Sequence, residues 1–141
     1  MADGAEFVRK AYETWNSHDI DKWVALGTDD IVVAASGGFQ GNGHDGFRQF
    51  AEGWQGAFPD CEITIRSIVA DGDRVMTEST FAGTHTGPLH TPDGQVIQPT
   101  NKRVSVEYSD AWEIKGGKAV YDRVYFDEIE LLTQLGISPG G

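Results

Sequence analysis

The second half of the chain alternates between apolar and polar residues, and turn-forming residues interrupt this alternation at intervals. Residues 62–69 alternate, the sequence Asp-Gly-Asp at 71–73 marks a tight turn, and the next strand is expected from residue 74 to about residue 85. Residues two apart share one face of a strand, so this pattern fits a sheet with one buried face. The segment therefore predicts antiparallel strands joined by a hairpin.

Two more strands are expected near the C-terminus. A Pro/Gly-rich loop at residues 87–100 precedes a strand at 104–114, and the sequence KGGK at 115–118 predicts a hairpin turn. The strand that follows ends at Asp127 and leads directly into a short helix, at about residues 128–136.

The first third of the chain has the spacing of helices. Apolar residues recur there on one helical stripe, namely Phe7, Val8, Ala11, Tyr12 and Trp15. Further helices are expected at residues 20–26 and 44–57, with a short strand at 31–35 and a Gly-rich turn at 37–43 between them. Helices followed by a meander predict an α+β fold, in which N-terminal helices close a curved antiparallel sheet into a cone with an internal cavity.

Composition restricts the class of protein and its partners. With 141 residues, 39% of them hydrophobic and 23% charged, the chain is expected to fold as one globular domain over residues 1–141. A net charge of −11 argues against nucleic acid or an anionic membrane as a partner. The N-terminal residues lack the apolar run of a signal peptide, and Cys61 is the single cysteine. These features predict a cytoplasmic protein.

The last strand carries an unusual set of polar residues. One face is expected to present Tyr121, Arg123, Tyr125 and Asp127. The other face is expected to present Val120, Asp122, Val124 and Phe126. An acid beside two tyrosines and an arginine suits the lining of a pocket that handles a carbonyl compound, so the first face is the candidate site.

Several phrases resemble one known family. They are WNSHDIDKW at 15–23, GHDGFRQF at 43–50, AFPD at 57–60, FAGTHTGP at 81–88 and YFDEIELLTQLG at 125–136. In this order, over nearly the whole chain, they resemble the SnoaL-like polyketide cyclases, whose cone fold is shared with ketosteroid isomerase and scytalone dehydratase. The resemblance implies the same α+β cone, a cystatin-like α+β barrel with a short C-terminal helix.

The resemblance also implies a reaction. The family's best-known members close a ring of tricyclic polyketide methyl esters, precursors of anthracycline-type antibiotics, by intramolecular aldol condensation. The resemblance implies general acid–base catalysis by one buried carboxylate without metal or cofactor, and the position of that carboxylate looks like Asp127. The alternative is that Asp127 only caps the following helix, a role worth about 1 kcal/mol.

Two further residues are candidate catalytic groups. His85, in the phrase GTHTG, is expected either to donate a hydrogen bond to a substrate carbonyl or oxyanion, or to be a structural histidine. Asp110 lies between two aromatic residues on one strand face. It is expected either to form an ion pair with Arg123 or to orient His85 or Asp127.

Aromatic residues and an arginine are the candidates for substrate binding. They are Tyr12, Trp15, Trp54, Trp112, Arg123 and Tyr125. The first three are expected mainly as core residues, and in a cone they can also form an apolar wall for a flat polycyclic ligand. The expected partner is therefore a small hydrophobic substrate, together with further copies of the chain in a dimer or tetramer, because a curved sheet leaves one face uncovered.

The sequence is also compatible with other functions. The same pocket would serve another isomerase, dehydratase or hydrolase of small molecules. A non-catalytic binding or dimerisation module would instead have a filled cavity and an Asp127 that serves only as a helix cap. His85 and His90 lack a Cys, His or carboxylate set at ligand spacing, so no metal site is predicted.

Overall fold

The computed structural model describes residues 4–137, and residues 1–3 and 138–141 of the predicted domain lie outside the described part. The helices are α1 (Gly4–Asn16), α2 (Ile20–Ala25), α3 (Gly43–Ala57) and α4 (Glu128–Gln134). The strands are β1 (Gly27–Ala35), β2 (Phe39–Asn42), β3 (Glu62–Asp71), β4 (Arg74–Thr84), β5 (Leu89–His90), β6 (Val96–Ile97), β7 (Arg103–Lys115) and β8 (Lys118–Phe126). The predicted helices and long strands are confirmed. The predicted turn at 37–43 contains strand β2, and the predicted loop at 87–100 contains the small β5–β6 hairpin.

Six strands form one curved sheet in the order β2-β1-β8-β7-β4-β3. Neighbouring strands are antiparallel except β1 and β8, which are parallel. A parallel pair requires a long connection, and these two strands come from opposite ends of the described chain. The sheet is therefore mixed, and the predicted α+β cone of helices on a curved sheet is confirmed.

The curvature of the sheet has local causes. The register shifts between Ile65 and Ser67 in β3, and between Glu113 and Ile114 in β7. Such bulges bend a strand and increase its twist. Strand β4 alternates regularly between buried and exposed residues, so its buried positions follow one another along the inner wall of the cone.

The helices close the concave side of the sheet. Helix α1 buries Tyr12 and Trp15 together with smaller apolar residues, as its apolar stripe predicts. Helix α3 packs so closely against β2 that a Cβ atom built on Gly46 would lie 2.5 Å from the carbonyl carbon of Gly41. Glycine at both positions permits this approach. The helices thus form one side of an interior space.

No helix within residues 4–137 has the length and apolar character that crossing a membrane would require.

Candidate active site

A cavity lies inside the cone, between the helices and the concave face of the sheet. About 50 Å³ of this space is open to the centre of a water-sized sphere. Its lining residues are Tyr12, Trp15, Trp23, Phe50, Trp54, Ile63, Phe81, Val106, Tyr108, Asp122, Val124, Phe126 and Leu131. This inner cavity is therefore aromatic and apolar, with one carboxyl group among the lining residues of the described chain.

That carboxyl group belongs to a pair of buried aspartates on neighbouring strands. Asp110 of β7 is paired in register with Val124, and Asp122 lies two residues before Val124 on the same face of β8. Asp110 is 0% exposed and Asp122 is 1% exposed. The Oδ1 atom of Asp122 has no hydrogen-bond partner. An unpaired buried carboxyl oxygen in a cavity wall is costly unless a ligand or a proton satisfies it.

Asp110 is held by hydroxyl donors on two sides. Its Oδ2 accepts a hydrogen bond from the Tyr12 hydroxyl, and its Oδ1 accepts one from Thr77 Oγ1. Ser79 Oγ in turn donates to Thr77 Oγ1 at 3.2 Å. Burial raises the pKa of Asp110, whereas hydrogen bonds from Asp122, Thr77 and Tyr12 oppose that rise. Asp110 is therefore the better stabilised anion of the two.

Asp122 lacks comparable donors. Burial raises its pKa well above the ordinary value, and the negative charge of the adjacent Asp110 raises that pKa further. The two carboxyl groups interact directly and titrate together. Its burial and its lack of hydroxyl donors both favour the protonated form of Asp122.

Two tyrosines complete the polar part of the inner cavity. Burial and the charge of Asp110 raise the pKa of both Tyr12 and Tyr108 well above the ordinary value, so both phenols remain protonated donors. The Tyr108 hydroxyl is buried and has no hydrogen-bond partner in the described structure. This hydroxyl could donate a hydrogen bond to an oxygen of the substrate.

An outer groove continues from the inner cavity. The two spaces share lining from Phe50, Trp54, Phe126 and Leu131. The charged and titratable side chains of the outer groove are Asp45, Arg48, Glu52, His90 and Glu128. A molecule that enters the inner cavity from this side passes from a groove with both apolar and charged side chains to an aromatic interior.

Asp127 lies outside the inner cavity. Its side chain is exposed, and its Oδ1 accepts a hydrogen bond of 3.1 Å from the backbone N–H of Glu130. It is the N-cap of α4, with the extended backbone that such caps adopt. The expected burial of Asp127 is therefore wrong, and its role as catalytic acid or base stays a prediction.

The face of β8 that carries Arg123 and Tyr125 points away from the cavity. Both residues are exposed, and the Arg123 guanidinium lies 5.2 Å from the centre of the Tyr125 ring. Their expected place in the pocket wall is corrected, because Asp122, Val124 and Phe126 form the inner face instead. The alternative of an ion pair between Asp110 and Arg123 is also wrong, since the two side chains lie on opposite faces of the sheet.

His85 is buried near the inner cavity but is not among its lining residues. The His85 Nδ1 atom accepts a hydrogen bond of 3.1 Å from the backbone N–H of Thr100 and lies 3.0 Å from the hydroxyl of that residue. This bond places the ring proton on Nε2, which has no partner. Burial lowers the pKa of the imidazole. These contacts tie β4 to the chain before β7, while the predicted role toward substrate stays a prediction.

The predicted aromatic wall is present in part. Tyr12, Trp15 and Trp54 line the inner cavity. Trp112 is fully buried behind this wall, and its ring meets those of Tyr12 and Trp23 edge to face at 5.9 Å in each case. Trp112 supports the wall without lining the cavity.

Sequence reasoning missed Asp122, Thr77 and Tyr108 as site residues. The signal for Asp122 was a single acid on an otherwise apolar strand face, between Val120 and Val124. A buried acid lowers the stability of the fold unless a hydrogen bond or a charge partner compensates for its burial.

Within residues 4–137, no three or more His, Cys, Asp or Glu side chains come together in a way that could hold a metal ion.

Known structures share this fold. AclR of Streptomyces galilaeus, a proposed hydroxylase, is 27% identical with a TM-score of 0.77, over 96% of this chain and 82% of that one. IdmH of Streptomyces antibioticus, a proposed polyketide cyclase, is 24% identical with a TM-score of 0.75, over 94% of this chain and 97% of that one. An LEH-like epoxide hydrolase of M. tuberculosis is 24% identical with a TM-score of 0.71, over 93% and 87%.

No curated protein matches the chain. The sequence profile of the SnoaL-like polyketide cyclases matches residues 5–135, which is nearly the whole chain. The chain therefore belongs to the SnoaL-like polyketide cyclase family.

Proposed function

We propose that this protein is a cofactor-independent polyketide cyclase that closes a ring by intramolecular aldol condensation. The observation that carries the proposal is the Asp122 carboxyl, which is 1% exposed and has an unpartnered oxygen in the wall of an aromatic cavity. We assign the acid–base step to Asp122, in place of the exposed Asp127.

The inner cavity suits a flat, apolar substrate. Trp15, Trp54 and Phe81 contribute ring surfaces, and the lining offers few polar atoms besides Asp122 and Tyr108. Aromatic surfaces stack well on planar ring systems. This lining supports a polycyclic polyketide ester as the substrate class. The outer groove would accommodate its more polar end.

The first step is removal of a proton from the carbon between a ketone and an ester carbonyl. The step requires the ionised form of Asp122, whose share increases as the pH rises toward its raised pKa; this carboxylate accepts the proton, provided that the carbon lies within hydrogen-bonding reach. The charge of Asp110 keeps the pKa of Asp122 high, which makes the Asp122 carboxylate a stronger base than an exposed aspartate. The resulting enolate is delocalised over the two carbonyl groups of the substrate.

The second step closes the ring. The enolate carbon attacks a carbonyl carbon in the same molecule, so that one carbon–carbon bond forms and the attacked carbonyl becomes an alkoxide. The Tyr108 hydroxyl can donate a hydrogen bond to the oxygen that becomes charged. Asp122 then returns its proton to the alkoxide, and the product is an isomer of the substrate.

Opening of an epoxide is a second candidate, because two carboxyl groups could protonate the epoxide oxygen and activate a nucleophile. Two structural neighbours are named for such chemistry, the LEH-like epoxide hydrolase and SalBIII, an epoxide hydrolase/cyclase-like enzyme. Asp110, however, is 0% exposed and does not line the inner cavity. Only one carboxyl group, that of Asp122, is among the described residues that line the inner cavity. This favours the aldol reaction, in which a single group acts first as the base and then as the acid.

A turnover experiment tests the proposal. Wild-type protein is incubated with a tricyclic polyketide methyl ester, and the products are followed by absorbance and mass spectrometry. We expect a ring-closed product of unchanged mass. No turnover of such esters, together with addition of one water to an epoxide substrate, would replace the proposal with the second candidate.

A further inference from the structure

We propose that Thr77 is a positioning residue, which keeps the negative charge of the carboxyl pair on Asp110 and the shared proton on Asp122. The location of this proton does not depend on the proposed function, and only its effect on catalysis rests on that function. The two aspartates differ in their surroundings: both are buried, yet hydroxyl donors reach only one of them.

Each oxygen of Asp110 has a donor of its own. Thr77 Oγ1 donates to Oδ1 and the Tyr12 hydroxyl donates to Oδ2. Two such bonds stabilise a carboxylate more than a carboxylic acid, because the acid has one acceptor site fewer. Asp122 has no hydroxyl donor, and its Oδ1 has no partner.

The direction of the Thr77 bond is fixed by its neighbour. Thr77 is 2% exposed and Ser79 is 1% exposed. Ser79 Oγ donates to Thr77 Oγ1 at 3.2 Å, so the hydroxyl proton of Thr77 is directed to Asp110. The line from Ser79 through Thr77 to Asp110 runs along β4 and across to β7, beneath the cavity wall.

The other titratable groups that face the pair are the two phenols. Tyr12 approaches from α1 and Tyr108 from β7, and both stay protonated. None of the lining residues of the inner cavity in residues 4–137 is Lys, Arg or His. Neither Asp110 nor Asp122 forms an ion pair with a Lys, Arg or His side chain of the described residues.

Removal of the Thr77 hydroxyl should move the proton. Thr77→Val keeps the shape of the side chain and deletes the donor, which makes Asp110 a weaker acid. The proton then moves from Asp122 toward Asp110, and Asp122 becomes ionised at lower pH. A hydrogen bond to a charged group corresponds to a displacement of about one pH unit. Thr77→Ser retains the hydroxyl and should restore the wild-type behaviour.

Carboxyl ¹³C NMR of protein labelled at aspartate tests this distribution without substrate. Signals are assigned with Asp110→Asn and Asp122→Asn and followed against pH. We expect Asp122 to hold the proton to higher pH than Asp110 in wild type, and the Asp122 titration to move down by about one pH unit in Thr77→Val but not in Thr77→Ser. The acid limb of the pH–kcat profile should move in the same direction.

Several results would overturn the proposal. One is a wild type in which Asp110 retains the proton longer than Asp122, a result that needs no variant at Thr77. Another is an Asp122 titration that is identical in wild type and Thr77→Val. If Thr77→Val does not fold, Ser79→Ala should give a smaller displacement in the same direction, and an unchanged titration there would count against the proposal. Failure of the cyclase assay would leave the NMR result intact, so the two proposals fail separately.

Discussion

Asp122→Asn should make the protein more stable at neutral and alkaline pH while it removes the proposed catalytic group. The amide has the size of the carboxyl and can donate a hydrogen bond to Asp110, as the protonated acid does. It cannot ionise. The variant therefore removes the cost of a buried charge and leaves the packing of the cavity wall unchanged.

The pH dependence follows from the direction of the pKa shift. Burial and Asp110 place the folded-state pKa of Asp122 well above its unfolded value. The stabilisation from this carboxyl is complete below its unfolded pKa, at about 4, and is lost as the pH rises through the folded pKa. Asp122→Asn escapes that loss, and it also removes the interaction that links the titration of Asp110 to that of Asp122.

The magnitude can be estimated from the burial of the group. Asp122 is 1% exposed, and its Oδ1 has no partner. A buried polar group without a hydrogen-bond partner costs about 1–3 kcal/mol, and more when it is charged. We therefore expect a gain in that range above the folded pKa and a gain near zero in acid. At this chain length, each kcal/mol corresponds to roughly 4 °C in Tm.

Urea unfolding at a series of pH values measures this difference. The control is Asp127→Asn, because Asn is also a good N-cap and Asp127 is exposed, so its curve should follow that of wild type at every pH. A difference between Asp122→Asn and wild type that does not change with pH would refute the reasoning. So would a loss of stability in Asp122→Asn that grows as the pH rises.

Four further changes test other parts of the structure. Asp127→Ala removes the cap of α4 and should lower the free energy of unfolding by about 1 kcal/mol in urea titrations, with turnover retained. Gly46→Ala should cost at least about 1–3 kcal/mol in the same assay, because its Cβ would meet the backbone of Gly41. Burial raises the pKa of Cys61 to about 11, so iodoacetamide should alkylate it slowly at pH 7 and rapidly in denaturant. Trp54→Ala opens the passage between outer groove and inner cavity and should weaken substrate binding, seen as a raised KM with a smaller change in kcat.

The fold could be predicted from the sequence because its signals are local and repeated. The alternation of β4, the apolar stripe of α1 and the glycines of the hairpin turns each determine one element. The parallel pairing of β1 with β8 could not be predicted in this way, since it depends on contacts between distant parts of the chain.

The candidate site was harder to predict for a geometric reason. Alternation divides β8 into two faces but does not say which one points inward. The polar face with Arg123, Tyr125 and Asp127 looked like a reactive pocket, yet it is the exposed face. Apolar residues on the face of Asp122 were the better guide to the interior.

The partners of Asp110 illustrate the same limit. Tyr12 is 98 positions away in the sequence and Thr77 is 33 positions away. No spacing rule connects such residues, because the sheet register and the packing of α1 bring them together.

Assembly into a dimer or tetramer stays a prediction.

The central claim is that Asp122 is the catalytic acid and base. The most direct measurement compares turnover of a tricyclic polyketide methyl ester by wild type, Asp122→Asn and Asp127→Asn under identical conditions. Our account predicts a loss of about 100-fold or more in kcat for Asp122→Asn, with Asp127→Asn close to wild type. Near-normal turnover by Asp122→Asn and an inactive, folded Asp127→Asn would contradict it and return the catalytic role to the C-terminal helix cap.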